Sequence, residues 1–362
     1  MAGWKDRALE YYDKNEMRVN LGFFLGGFVF DVITLSSIDD LFSVAQQITY
    51  LLIVGFMLVS EFLVNAQRWS VPKWLAKPWE YRSAIVHFIL GSLLSIYSLF
   101  FLKSASIFSS LTFVALLMGI MVANELKNVQ SRGDTKIGLY VVCLFSFFSM
   151  MIPVALGFVG WIPFLLALTA TGLVLWGVYK LLMKHVGDAE LLKRHLVLPG
   201  ASVSGLFLVF YLLGWIPPVP LAVEEMGIYH FIEKSDGRYF LSHENPWYKP
   251  WNNGDQDFDA RPGDKIHLFA KVFSPARFDD TVILHWQKFD VANGWQTTDK
   301  IPLRVTGGRV GGYRGHASKG NYTAGDWRVA VETTDGREIG RIPFTIVLSA
   351  DNGSRNFKVE ER

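Results

Sequence analysis

The 362-residue chain is 51% hydrophobic and only 19% charged, with a mean hydropathy of +0.25, which is too apolar for an ordinary soluble enzyme of this length. Its 35 Lys and Arg nearly balance 33 Asp and Glu. The basic residues edge the apolar runs instead of forming one stripe, so nucleic acid is not an expected partner. A single cysteine, Cys143, rules out an intrachain disulfide and a cysteine-built zinc cage.

Residues 1–18 place Trp4, Ala8, Leu9, Tyr11 and Tyr12 at helical spacing, as in a short segment lying on a membrane surface. Apolar runs near 19–38, 41–64, 83–102, 105–126, 136–157, 160–182 and 197–217 are each long enough to cross about 30 Å of hydrocarbon. They predict a seven-span bundle over 19–217, and the first run carries no clear small-residue cleavage site, so it reads as a retained helix. Turns at 39–40, 103–104 and 158–159 are short enough to make antiparallel helix hairpins.

Lys and Arg cluster before span one and after spans two, four and six, while the alternate turns carry only Lys103. The positive-inside rule then puts the amino terminus in the cytoplasm and everything after residue 217 outside, which for the inner membrane of a two-membrane bacterium means the periplasm. The loop RWSVPKWLAKPWEYR interleaves Trp69, Trp74 and Trp79 with basic residues, which suits the headgroup level.

Ionisable groups at membrane depth are functional candidates by default. Asp31 shares its expected depth with Gln46 and Gln47 across the first turn, and a hydrogen-bonded pair there competes with a proton or ion path. Glu61 and His87 both approach the cytoplasmic boundary, where they could pair with each other or snorkel to water. Ser202 and Ser204 in GASVSG are better read as small residues for close helix packing than as nucleophiles, since no base is obviously at hand.

Beyond GWIPPVPLAVEEMG the hydrophobic period switches from helical to two. Residues 218–261 form the exit and a first hairpin, turning at Asp236 and Gly237 between GIYHFIEK and RYFLSHE. KIHLFAKVF, TVILHWQKF, IPLRVT and the two strands of GDWRVAVETTDGREIG then predict a β-sandwich over 262–348, of the immunoglobulin-like kind, with 349–362 as a flexible tail.

Strand tryptophan Trp286, the order Tyr313, Arg314, Ser318, Lys319, and the closing Gly, Trp, Val, Val, Asp, Gly series from Gly325 to Gly336 resemble the bacterial family of domains of unknown function numbered 2914. The resemblance covers roughly 262–348. It implies a domain at the outer end of a polytopic membrane protein, and it brings no established activity. Two departures stand out: the family often has Trp where this chain has Tyr313, and His where it has Leu284, which removes support for a metal or catalytic site on that histidine.

Three clusters could carry chemistry. Arg304, Arg309, Arg314, His316 and Lys319 lie in a glycine-rich stretch suited to an anion, with Tyr313 and Ser318 beside them; Arg314 and Lys319 are the leading ligand contacts. Trp247, Tyr248 and Trp251 precede Asp255, Asp257 and Asp259, a combination that suits sugar stacking, docking on the bilayer or, less well, Ca²⁺. His267, His285 and His316 read as satisfied histidines before they read as metal ligands.

The expected function is non-enzymatic, without cofactor or metal: a membrane-anchored β-module that recognises or scaffolds an envelope polymer or a periplasmic protein, with the lipid bilayer and a second copy of the chain as further partners. The alternative is a transporter or channel whose bundle is the pathway and whose outer domain is a gate or adaptor.

Overall fold

The structure is a computed structural model that describes residues 38, 40–106, 111–124, 133–246, 248–249, 251–275, 278–307, 312–349 and 353–362. The first expected span, and with it Asp31, lies outside these residues, as do Trp247 and Arg309. The chain divides into a helical unit and a β-unit, and the β-unit also takes in residues 104–106 and 153–161 from turns between helices.

In the helical unit α1 is Leu41–Asn65, α2 Ala76–Glu80, α3 Arg82–Lys103, α4 Leu111–Asn124, α5 Gly133–Leu156, α6 Trp161–His185 and α7 Ala189–Leu212. Asp40 starts α1 as an N-cap, its carboxylate accepting the Ser43 N–H at 2.9 Å. Five helices, not seven, are long and apolar enough to cross a membrane among the described residues. The fourth expected span appears in part as α4, of which 14 residues lie among those described.

The last helix begins earlier than its apolar run because Lys193–Val197 form a π-turn, with the Leu198 N–H bonded to the Lys193 carbonyl. Pro199 follows at once; it has no N–H to continue a regular ladder, so the widened turn absorbs it inside a continuous helix. Aromatic contacts hold the interior, among them Phe145 on Phe207 at 4.1 Å and Phe164 stacked on Tyr211 at 3.8 Å.

The polar residues of the bundle are arranged differently from expectation. Glu61 pairs with Lys136 at 3.5 Å, not with His87, because the Lys136 side chain is buried instead of lying free in a loop. His87 is buried on α3. Gln46 donates to the Tyr50 hydroxyl at 3.2 Å, and the carboxamide of buried Gln47 makes no hydrogen bond among the described residues.

The β-unit has three sheets. The middle one is β1 (Ala222–Tyr229), β5 (Ile266–Phe273) and β8 (Tyr313–Lys319), in the order β1-β5-β8. A five-stranded sheet joins β4 (Asp257–Ala260), β10 (Glu338–Leu348), β9 (Gly325–Thr333), β6 (Asp279–Asp290) and β7 (Gly294–Thr306), in that order. A small third sheet is ordered β11-β3-β2, from β11 (Lys358–Glu361), β3 (Arg238–His243) and β2 (Phe231–Ser235).

One apolar core lies between the middle and five-stranded sheets. Met226, Ile228, Leu268 and Val272 meet Leu284, Trp286, Val329, Val331 and Phe344 there, and burying Trp286 alone contributes about 3 kcal/mol. Phe269, on the other face of β5, joins Tyr229, Tyr239 and Leu241 in a second, smaller core. Strand β5 is therefore buried on both faces, which accounts for the nearly unbroken apolar run IHLFAKVF. Val159, from the turn between α5 and α6, is part of the main core, and the Asp279 N–H donates to the Gly157 carbonyl at 2.9 Å.

The hairpin read from GDWRVAVETTDGREIG forms as β9 and β10, with Trp327, Val329 and Val331 facing the core and Gly336 in the left-handed region at φ 84°. The Asp236–Gly237 turn joins β2 to β3, both turn residues having positive φ as a two-residue hairpin demands. GIYHFIEK is not one strand: it breaks at His230 between β1 and β2, which belong to different sheets. Two further readings are corrected. The glycine-rich basic stretch becomes β8 from Tyr313 onward, and the expected flexible tail holds β11, antiparallel to β3.

Candidate functional site

Strand β6 lies between β7 and β9, and its alternation gives the five-stranded sheet two unlike faces. Leu284 and Trp286 point into the core, while His285, Gln287 and Phe289 point outward. On β9, Arg328 stands opposite Gln287, with Glu332 four pairs along, opposite Ile283 and on the same outward face. On β7 the register slips by one residue between Trp286 and Gln287: Asp299 pairs with Trp286 but Thr297 with Gln287, leaving Thr298 as the extra residue of a bulge. That bulge brings Thr297 and Trp295 onto the face of His285.

The result is a connected polar surface. His285 Nδ1 lies 2.8 Å from a Glu332 carboxylate oxygen, and its Nε2 lies 2.7 Å from the Thr297 hydroxyl. An ionised carboxylate only accepts, so Nδ1 carries the proton; in the neutral ring Nε2 then accepts from Thr297, which polarises that hydroxyl. The sequence offered no such hydroxyl and base in contact.

Beside this chain, Arg328 donates from Nε to the Gln287 side-chain oxygen at 2.7 Å, and its guanidinium carbon sits 4.2 Å from the centre of the Trp295 ring. Trp295 meets Phe289 edge-on at 5.3 Å. Phe289 is 41% exposed and Val291, at the hairpin tip, 95% exposed. Partial burial first, and then nearby Arg341, lower the Arg328 pKa, while Glu338 and Glu332 oppose the shift; a guanidinium stays charged throughout.

A second cluster lies around the break at His230. Its ring stacks on Phe258 at 4.1 Å, and Nε2 is buried without a hydrogen bond, 3.5 Å from Glu244 and 3.6 Å from Asp255. Arg355 pairs with Asp264 at 2.6 Å and Glu244 at 3.3 Å. Burial, with Arg355 adding to it, lowers the His230 pKa to about 4, and burial raises Asp255 to about 7 even though Asp255 accepts the Glu244 N–H at 2.9 Å.

The residues singled out in the sequence do not converge. Lys319 points into the β-unit, where it is ion-paired with Asp299, hydrogen-bonded to Asn321 at 3.0 Å and 5.3 Å from the Trp327 ring centre. It is an interior cation, not the ligand contact expected of it. Arg314 and Ser318 lie on the opposite face of β8 to Lys319, and the Arg314 carbonyl accepts from the Tyr239 hydroxyl at 3.2 Å. Tyr313 packs against the main core.

Arg304 forms a two-pronged pair with Asp279 at 2.8 and 2.6 Å. Tyr248 and Trp251 are exposed, but the carboxylates after them part company: Asp255 faces His230 and Asp257 pairs with Lys249 at 2.6 Å. His267 and His316 are on the middle sheet and His285 on the five-stranded one. Among the described residues no three His, Cys, Asp or Glu side chains are arranged to hold a metal ion.

Comparison with known proteins adds one finding. Residues 279–346 match the family described as "Protein of unknown function (DUF2914)". The DUF2914 segment runs from β6 into β10 and contains every residue of the polar outer face described above. The chain therefore carries a C-terminal domain of that family. No curated protein matches. Among solved structures, the chain has 11% identity and a TM-score of 0.23 with the Pseudomonas fluorescens alkylpurine DNA glycosylase AlkC bound to DNA containing an abasic site analog, over 86% of this chain and 100% of that one. A likeness at that score carries no argument about fold or function.

Proposed function

We propose that this is a bacterial inner-membrane protein whose helices anchor a periplasmic β-module, and that the module recognises an envelope polymer or a periplasmic protein without itself being an enzyme. The observation that carries the reading is the outer face of β7, β6 and β9: an aromatic-stacked arginine, a polarised hydroxyl and an exposed apolar hairpin tip share one surface of the DUF2914 segment. Polar groups held in fixed orientation beside exposed apolar side chains are the makings of a recognition surface.

The orientation rests on the positive-inside rule: Lys and Arg cluster before the first expected span and after the second, fourth and sixth, which assigns the β-module to the opposite side.

Photo-crosslinking in native membranes tests the proposal, with the reactive group placed at Val291 in one full-length variant and at the exposed helical residue Leu173 in another. The expected outcome is discrete adducts from Val291 that are absent from Leu173. Adducts to a second copy of the chain would turn the reading toward self-association. Adducts only from Leu173, together with loss of function in Asp31→Asn, would turn it toward transport through the bundle.

A further inference from the structure

We infer that Arg328 is a carboxylate-binding residue, its guanidinium held as an open fork on the outer face of the five-stranded sheet. The inference rests on the recognition reading and deepens it by naming the ligand chemistry. Three contacts set the geometry. The Trp295 ring supports the guanidinium from one side, with the carbon 4.2 Å from the ring centre. Gln287 takes Nε at 2.7 Å and so fixes the rotation of the plane. The β7 bulge puts Trp295 on this face at all.

With Nε engaged, the two terminal nitrogens make no hydrogen bond among the described residues. A guanidinium whose plane is fixed and whose terminal nitrogens are open pairs with a planar oxyanion at little further entropic cost.

The surrounding charges choose between anions. Arg341, on the neighbouring strand, is committed to Glu338, and Glu332 to His285, so the charges around Arg328 are already partnered and its open fork offers one positive charge. A singly charged carboxylate matches that charge and presents two coplanar oxygens to the two nitrogens, whereas a dianionic phosphate is left with a second negative charge beside Glu332 and Glu338. Phe289, exposed against Trp295, and Val291, exposed at the hairpin tip, favour a carboxylate carried on an apolar group, as in an amino-acid or peptide terminus.

The test uses the full chain in lipid nanodiscs and phenylglyoxal, which modifies accessible arginines, read residue by residue by mass spectrometry. N-acetylphenylalanine is the probe, against its amide and inorganic phosphate. At a probe concentration ten times its dissociation constant, modification of Arg328 is expected to slow about tenfold. The amide should not slow it, phosphate should do so less, and Arg304, already paired with Asp279, should serve as an unchanged control.

Trp295→Ala should leave Arg328 reactive but remove the protection. Equal protection by the amide or by phosphate, or none by N-acetylphenylalanine up to its solubility, overturns the inference. Adducts from Val291 without such protection would leave the recognition reading standing and remove only its carboxylate chemistry.

Discussion

Two histidines in the β-unit sit beside carboxylates and have opposite fates. His285, on the outer face of a sheet, has both ring nitrogens engaged at 2.7 and 2.8 Å. His230, in the break between β1 and β2, has carboxylate oxygens no nearer than 3.5 Å and a buried, unbonded Nε2. The same residue type next to the same partner type becomes a satisfied relay in one place and a neutral, desolvated ring in the other. Water access and a few tenths of an ångström decide which, since a buried charge without a hydrogen bond costs far more than a hydrogen bond returns.

The comparison can be broken most severely at the interior cluster. Arg355→Met leaves Glu244 and Asp264 facing each other without their cation, and hydrogen exchange of the full chain should show β3 and β11 losing about 3 kcal/mol of protection. Arg328→Met, on the half-exposed outer face, should cost less than about 1 kcal/mol by the same measure. Equal losses would mean that the two surroundings do not differ as described.

Acidity separates the two interior partners. His230 is depressed from 6.5 to about 4, so the stability it contributes is present above pH 6.5 and is lost as pH falls toward 4. Asp255 is raised from 3.8 to about 7, so its contribution is present below pH 3.8 and is lost as pH rises toward 7. In the intact protein the two slopes oppose each other. Asp255→Asn should leave protection of β2 and β3 rising with pH between about 4 and 6.5, and His230→Gln should leave it falling between about 4 and 7. Parallel profiles in the two variants would show that the groups do not titrate against each other.

The outer relay should show an effect of the same order as Arg328→Met. Glu332→Gln keeps an acceptor for His285 Nδ1 but removes the charge, and should cost about 1 kcal/mol in exchange of β6 and β9, with Thr297→Val costing about half of that.

Much of this was legible in the sequence, for identifiable reasons. The β9–β10 hairpin announces itself by strict alternation and an Asp-Gly turn, and five apolar helices by length alone. Of the third sheet only β11 was hidden, because KVEE shows no apolar alternation; beside its ladder with β3, Glu360 meets His243 at 3.1 Å and the following Arg362 meets Glu225 at 2.6 Å. Strand β8 was hidden by the glycines that flank and interrupt it, and Lys319 was misread because a buried lysine looks like an exposed one until Asp299 is placed beside it. Arg328 and Glu332 could be seen to face outward, but their partners come from other strands. Thr297 reaches His285 only through the bulge, which no periodicity signals.

That extra residue also bears on inheritance. The outward aspect of Trp295 and Thr297 depends on a count, the number of residues between the hairpin tip and Asp299, and not only on which residues they are. A straight ladder that kept Thr298 would turn the distal half of β7 over, hiding both side chains while leaving every letter unchanged. Relatives of this domain should therefore be sorted by gaps before they are sorted by identities: a single codon gained or lost in this hairpin carries more information about whether the surface survives than several substitutions around it.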